Sequence, residues 1–294
     1  MAPSHPVGWW RVTGAVLVTG ASSGIGAAIV RELARRGCVV FGTIRRAQDA
    51  PGVAALGATP VTMDVTDAGA IATARADIER ALAGRPLAGL VNNAGIPVAG
   101  PLELLPLAEL RRILEVNVVG VVAVTQAFLP LLKQAHGRIV NISSVSGRAA
   151  LPFMGPYAGS KFALEGLSDS LRRELLPFGV DVIVVQPGSV QSKIWDKVEA
   201  MDLSPYRGTR YGPALERFRD QALRGARRAP SPDGVARAVA QALTARRPPT
   251  RMLVTDYALL TRLMLALPDR WMDWLIKRAV WRKTRETGSG RRET

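Results

Sequence analysis

The stretch Ala15-Val16-Leu17-Val18-Thr19-Gly20-Ala21-Ser22-Ser23-Gly24-Ile25-Gly26 decides the fold. Its first four residues are a short apolar run, the pattern of a strand buried on both faces of a parallel sheet. The run passes directly into glycines, and these pass into Ala27–Arg36, a helical pattern that stops at Gly37. Strand, glycine-rich turn and helix in that order form an anion-binding corner. Glycines let the backbone approach a pyrophosphate, and the helix N-terminus offers unpaired N–H groups and the positive end of its dipole. The spacing is T-G-x-x-x-G-x-G rather than G-x-G-x-x-G. The competing reading is a tight turn that needs glycine only for positive φ.

Working outward, strand patterns fall near 15–19, 38–44, 60–64, 87–92, 138–143, 180–186 and 251–254. Helical patterns fall near 24–36, 67–83, 106–135, 157–177 and 232–245. Ser231-Pro232 gives the last helix an N-cap and a proline at its first position. The alternation predicts an α/β fold: a single Rossmann-type, doubly wound parallel sheet of about seven strands with helices on both faces. A ligand then sits at the carboxyl ends of the strands, where the motifs below all fall. The predicted domain covers 1–255, with a lid at 189–230. An amphipathic helical extension follows over 256–283, and then a polar, disordered tail at 284–294.

Tyr157 and Lys161 are four residues apart, on one face of the predicted helix. An ammonium beside a phenol favours the phenolate and lowers a pKa that is about 10 when unperturbed. Ser144, thirteen residues upstream, supplies a hydroxyl to hold a carbonyl or alcohol oxygen while the tyrosine passes a proton. With a hydride donor present, that chemistry reduces a ketone reversibly. A tyrosine beside a solvated lysine on a helix surface is the plainer account of the pair alone.

Thr19-Gly20-x-x-x-Gly24-Ile25-Gly26, Asn92-Asn93-Ala94-Gly95, Asn117, Ser144, Tyr157, Lys161 and Pro187-Gly188 occur in the order and spacing of one family. On these motifs the chain resembles the short-chain dehydrogenase/reductase family over roughly residues 12–255, and within it the hydroxysteroid and retinol dehydrogenase side. The resemblance implies that Gly20, Ser22, Ser23, Gly24, Ile25 and Gly26 cradle a cofactor pyrophosphate. It implies that Asp64 and Val65 meet the adenine, and that Asn92, Ala94 and Gly95 line the cofactor cleft while Asn93 serves structure. Pro187, Gly188, Val190 and Ser192 then lie against the nicotinamide. Tyr157 is implied to be the general acid/base. Lys161 lowers its pKa and binds the ribose, Ser144 positions the substrate oxygen, and Asn117 supports a proton relay. For Asn117, a poor residue in a helix interior, a core hydrogen bond is the alternative account. The family also implies a homodimer or homotetramer, paired through the helices that carry Asn117 and Tyr157.

The end of the second strand reads Thr43-Ile44-Arg45-Arg46, with no acid before Asp49. An acid there would bind a ribose 2′-hydroxyl, whereas arginine favours a 2′-phosphate. Arg45 therefore predicts NADP(H), with NAD the alternative.

Composition narrows the partners. The chain has 294 residues, 48% hydrophobic, enough for a sizeable core, and a net charge of +15. No nucleic-acid-binding module accompanies that charge, and part of it serves an anionic cofactor. One cysteine, Cys38, allows no internal disulfide and suits a reducing, cytoplasmic setting. With only His5 and His136 besides, no His/Cys metal site is expected. The first eleven residues lack a signal-peptide layout.

The lid carries Trp195, Met201, Leu203, Tyr206, Tyr211 and Phe218, and Phe153-Met154 precede the tyrosine. Such a lining predicts an apolar substrate: steroid-, retinoid- or lipid-like. Residues 257–283 mix Trp271, Trp274 and Trp281 with arginines and lysines. Charges interrupt the segment too often for a membrane span, but the pattern fits peripheral contact with a membrane surface. Two other functions share some of these motifs: a non-catalytic NAD(P)-binding sensor or scaffold, and a sugar-nucleotide epimerase. The joint presence of Asn117, Ser144, Tyr157 and Lys161 argues against the first. The glycine spacing argues against the second.

Overall fold

The computed structural model describes residues 14–192 and 194–281. The N-terminal stretch and the polar tail at 284–294 lie outside the described residues. Seven parallel strands form one sheet in the order β3-β2-β1-β4-β5-β6-β7. They are β1 (Ala15–Val18), β2 (Val39–Ile44), β3 (Thr59–Thr62), β4 (Leu87–Asn92), β5 (Arg138–Ile142), β6 (Asp181–Pro187) and β7 (Arg251–Val254). The chain leaves β1 for β2 and β3 on one side, then returns to place β4 on the other side of β1. This reversal opens a crevice beyond the carboxyl ends of β1 and β4, the usual ligand position in such sheets.

The helices are α1 (Gly24–Arg35), α2 (Ala50–Ala55), α3 (Ala68–Leu82), α4 (Leu107–Leu114), α5 (Gly120–Gln134), α6 (Gly155–Glu174), α7 (Ile194–Glu199), α8 (Gly212–Arg227), α9 (Asp233–Thr244), α10 (Ala258–Leu265) and α11 (Asp269–Val280). The period-two alternation of β1 divides the core into two layers. Val16 and Val18 pack with Ile29, Leu33, Val235 and Val239, so α1 and α9 cover one face. Ala15 and Leu17 pack with Ile71, Ile78, Phe128 and Leu132, so α3 and α5 cover the other. Phe128 is fully buried. Burying one such side chain stabilises the fold by about 1.5–3 kcal/mol.

One element departs from expectation. The helix read over 106–135 is interrupted by a π-helical turn at Glu115–Val119, where the Gly120 N–H bonds the Glu115 carbonyl. Its centre is Asn117, the residue that fits helical periodicity worst. π-turns are uncommon and concentrate at functional sites. By length and composition alone, Leu107–Gln134 would suit a membrane span. Here Val124, Phe128 and Leu132 bury its inner side against the sheet.

Candidate active site

At the β1–α1 corner, Gly20 has φ +67°, and a Cβ added to Gly26 would lie 2.1 Å from the Gly20 carbonyl oxygen. Only glycine allows the turn to close so tightly. Asn93 locks it: its side-chain amide donates to the carbonyls of Thr19 (2.9 Å) and Gly20 (3.1 Å). The Thr19 hydroxyl accepts from the N–H groups of Asn93 (2.9 Å) and Ala94 (3.0 Å). At the start of α1, Ser23 forms no side-chain cap and the first turn carries no acid. Its N–H groups are therefore left to an anion.

The corner opens into a cleft of about 1230 Å³. Gly20, Ser22, Ser23, Gly24, Ile25 and Gly26 form one wall. Arg45, Asp64, Val65, Ala94 and Gly95 line the part nearest β2 to β4. Ser144, Tyr157, Lys161, Pro187, Gly188, Val190 and Ser192 line the remainder.

Two expected residues do not line the cleft. Asn92 is 2% exposed, and its amide donates to the Thr125 hydroxyl (3.0 Å) and the Asn141 side-chain oxygen (2.9 Å), bridging β4, α5 and β5. Asn93 lines the cleft in its place and still serves structure by locking the turn. The expectation of Asn92 as a cleft residue fails because Asn92 ends β4 with its side chain turned into the core. Asn117 is also buried. Its oxygen accepts from the Ile96 N–H (2.8 Å), and its amide donates to the Ile96 carbonyl (3.0 Å) and the Ser160 hydroxyl (3.1 Å). The side chain thus ties the π-turn to the loop after β4 and to α6.

The two arginines after β2 differ. Arg46 holds Asp49 through two hydrogen bonds, at 3.2 and 3.1 Å. That pairing neutralises the acid next along the chain. Among the described residues Arg45 makes no such pair, and it lies exposed on the cleft rim. The glycine cradle, the uncapped helix start and this free guanidinium fit a dinucleotide bearing a 2′-phosphate.

Tyr157 keeps part of its surface toward the cleft while its ring packs with Ile96, Val98 and Ile113. Burial pushes the phenol pKa above its ordinary value, and hydrogen bonding with Ser144 pulls it back. The sequence suggested a lowered value through Lys161. Desolvation instead sets the direction of the shift. The Lys161 ammonium lies 5.8 Å from the tyrosine ring centroid and donates to the Ile142 carbonyl at 2.8 Å. Burial lowers the pKa of Lys161 to about 8, with Glu165 opposing the shift.

Glu165, one turn beyond Lys161, was not singled out from the sequence. It is 5% exposed, accepts from Gln186 at 2.9 Å, and pairs with Arg251 at 2.9 Å. Arg251 also pairs with Asp169 at 2.9 Å. The sequence signal was there: an acid at i+4 from Lys161 on the buried face of the same helix.

Residues of α7, α8, α10 and α11 also line the cleft. Met201, Phe218, Met264, Met272, Leu275 and Ile276 face into it. Phe153 stands at φ +67°, a conformation that bulky residues adopt only when the surroundings enforce it. Its ring meets Tyr211 (6.4 Å), Phe218 (5.7 Å) and Trp281 (6.0 Å), joining the loop before α6 to α8 and to the residue that follows α11.

The profile of the short chain dehydrogenase family matches residues 14–203. This chain belongs to that family. The resemblance seen in its motifs is thereby borne out, as is its class as a dehydrogenase/reductase. It is 35% identical over 281 residues to the NADPH-dependent 3-dehydrocapnine reductase of Ornithobacterium rhinotracheale, covering 92% of this chain and 99% of that protein. It is 41% identical over 186 residues to retinol dehydrogenase 16 of Homo sapiens, covering 62% of this chain and 58% of that protein. A short chain dehydrogenase from Burkholderia cenocepacia, solved in complex with NADP, superposes with a TM-score of 0.69 at 25% identity. That match covers 90% of this chain and 97% of the other.

Proposed function

We propose that this dehydrogenase/reductase uses NADP(H), with NAD as the weaker alternative, to interconvert a carbonyl and an alcohol on an apolar, steroid-, retinoid- or lipid-like substrate. The observation that carries the reading is the convergence of Ser144, Tyr157 and Lys161 on the cleft into which the phosphate corner opens. The NADPH-dependent relative and the NADP-bound neighbour support the cofactor choice.

Gly20–Gly26, Arg45, Asp64 and the Pro187–Ser192 turn would hold the dinucleotide, which supplies the hydride when bound. Ser144 fixes the substrate oxygen. Tyr157 gives that oxygen a proton in reduction and takes it back in oxidation. A charged Lys161 stabilises the phenolate left behind. Asn117 acts as a positioning residue, holding α6 and the π-turn together. The Met and Phe lining excludes water and selects apolar substrates.

The test is NADPH oxidation against steroid ketones, retinal and long-chain aldehydes, with Tyr157→Phe alongside. Turnover of one class, lowered roughly 10²–10⁴-fold in the variant, supports the reading. Cofactor binding with no turnover of any class would favour a sensor instead.

Two features of the surface support the proposed assembly and location. Val119, Phe162 and Leu167 are 49%, 46% and 43% exposed near and along α6. They supply an apolar face for pairing of two copies, and light scattering on Phe162→Glu checks it by loss of the oligomer. Along the segment of α10 and α11, Tyr257, Leu259, Leu263 and Trp271 are 71%, 73%, 59% and 68% exposed, beside Arg262, Arg270, Lys277 and Arg278. This combination suits a cytoplasmic protein lying peripherally on an anionic lipid surface.

A further inference from the structure

The lid half of the cleft contains a cation to which the chemistry above gives no task. On α8, Phe218, Gln221, Ala222 and Gly225 follow the spacing of one helical face and line the cleft, and Arg219 lines it beside them. Among the described lining residues from 194 to 280, Arg219 alone is charged. Its Nε is buried and has no hydrogen-bond partner among the described residues. The Asp220 carboxylate forms a loose ion pair with it at 3.8 Å and is itself more than half exposed. Arg172 and Arg217 also have an unpartnered Nε, but each bonds through a terminal nitrogen, to Asp169 and to the Val280 carbonyl. Arg75, the fourth such arginine, lines an outer groove between α3 and α5. Arg219 differs in combining an idle donor with a place in the cleft.

The side chain keeps 28% of its surface exposed, but its Nε is buried, and a buried donor is unfavourable unless an acceptor reaches it. An anion is the strongest acceptor for it, because its planar fork matches a carboxylate, sulfonate or phosphate. We propose that Arg219 binds an acidic head group on the otherwise apolar substrate, so that the substrate is an anionic amphiphile. Its head lies under α8 and its carbonyl lies at Ser144 and Tyr157. The inference rests on the substrate cleft proposed above and sharpens its specificity.

The test measures binding, so it does not depend on turnover. Decanoate, decyl sulfonate and decanol are titrated calorimetrically into the full-length protein held with saturating NADP, and into Arg219→Met and Arg219→Lys. The wild type should bind the two anions at least about tenfold more tightly than decanol, the scale of one charge-assisted hydrogen bond. Arg219→Met should erase that preference while binding decanol as before, and Arg219→Lys should keep part of it. Equal preference in wild type and Arg219→Met overturns the assignment. So does a wild type with no preference, or a variant whose main defect is weaker NADPH binding. Failure of the oxidoreductase reading would show separately, as cofactor binding with no turnover of any substrate class.

Discussion

The Lys161 ammonium donates to the Ile142 carbonyl oxygen at 2.8 Å, which anchors α6 to the end of β5 and holds a cation where water is scarce. Burial brings its pKa to about 8, whereas the unfolded side chain releases its proton near about 10.4. Between those values the unfolded chain holds the extra proton, so stability from this group rises with pH. Below pH 8 both states are charged and the burial penalty is fully present. Urea unfolding from pH 7.5 to 9.5 should show this rise in the cofactor-free protein and its absence in Lys161→Met. Identical pH slopes in the two proteins would refute it. The partly buried Glu165–Arg251 pair keeps a negative charge near Lys161, so Glu165→Gln should move the onset of the rise to lower pH.

Because Asp49 is occupied by Arg46, Arg45 is the guanidinium left for a ribose phosphate. Arg45→Ala should raise KM for NADPH by about 10–100-fold, the value of one or two charge-assisted contacts. KM for NADH should change little. Equal changes for both cofactors would remove Arg45 as the discriminator.

Gly26→Ala places a methyl 2.1 Å from the Gly20 carbonyl oxygen and 2.6 Å from the Asn93 amide. Both neighbours belong to the locked turn, so the strain has no flexible outlet. A loss of about 1–3 kcal/mol in unfolding free energy is expected. Cofactor affinity, read by calorimetry, should fall as well. A variant that binds cofactor normally would show that the turn is looser than its hydrogen bonds imply.

Trp271 and Trp274 are 68% and 56% exposed on α11. Replacing both with serine leaves the cleft-facing Met272, Leu275 and Ile276 in place. Flotation with anionic vesicles should then fall several-fold, with turnover of water-soluble substrates unchanged. Unchanged flotation would dismiss the bilayer as the partner of this face.

The strand–helix alternation and the ordered motifs were legible because each rests on local chemistry: apolar runs, glycine turns and an i, i+4 pair. The residues that escaped depend on tertiary contacts. Neighbouring Asn92 and Asn93 are the same amino acid, and only their partners on β5 and at Gly20 distinguish brace from lining. The π-turn showed itself only as an asparagine in an apolar helix, since one inserted residue barely disturbs a periodic pattern. Glu165 was one acid among many until burial set it apart, and Arg219 one base among many until its place in the cleft did. The direction of the Tyr157 shift was missed for the same reason: spacing reveals Lys161 but not the desolvation around the phenol.

The Phe153 ring touches residues at 211, 218 and 281, so the last described indole of the chain rests on the loop that leads into the tyrosine helix. Trp281 is therefore a built-in optical gauge. With the other tryptophans replaced by phenylalanine, its emission would report any displacement of the rings around Phe153 when a ligand enters or leaves the cleft. Product release would then be timed directly, without an attached dye.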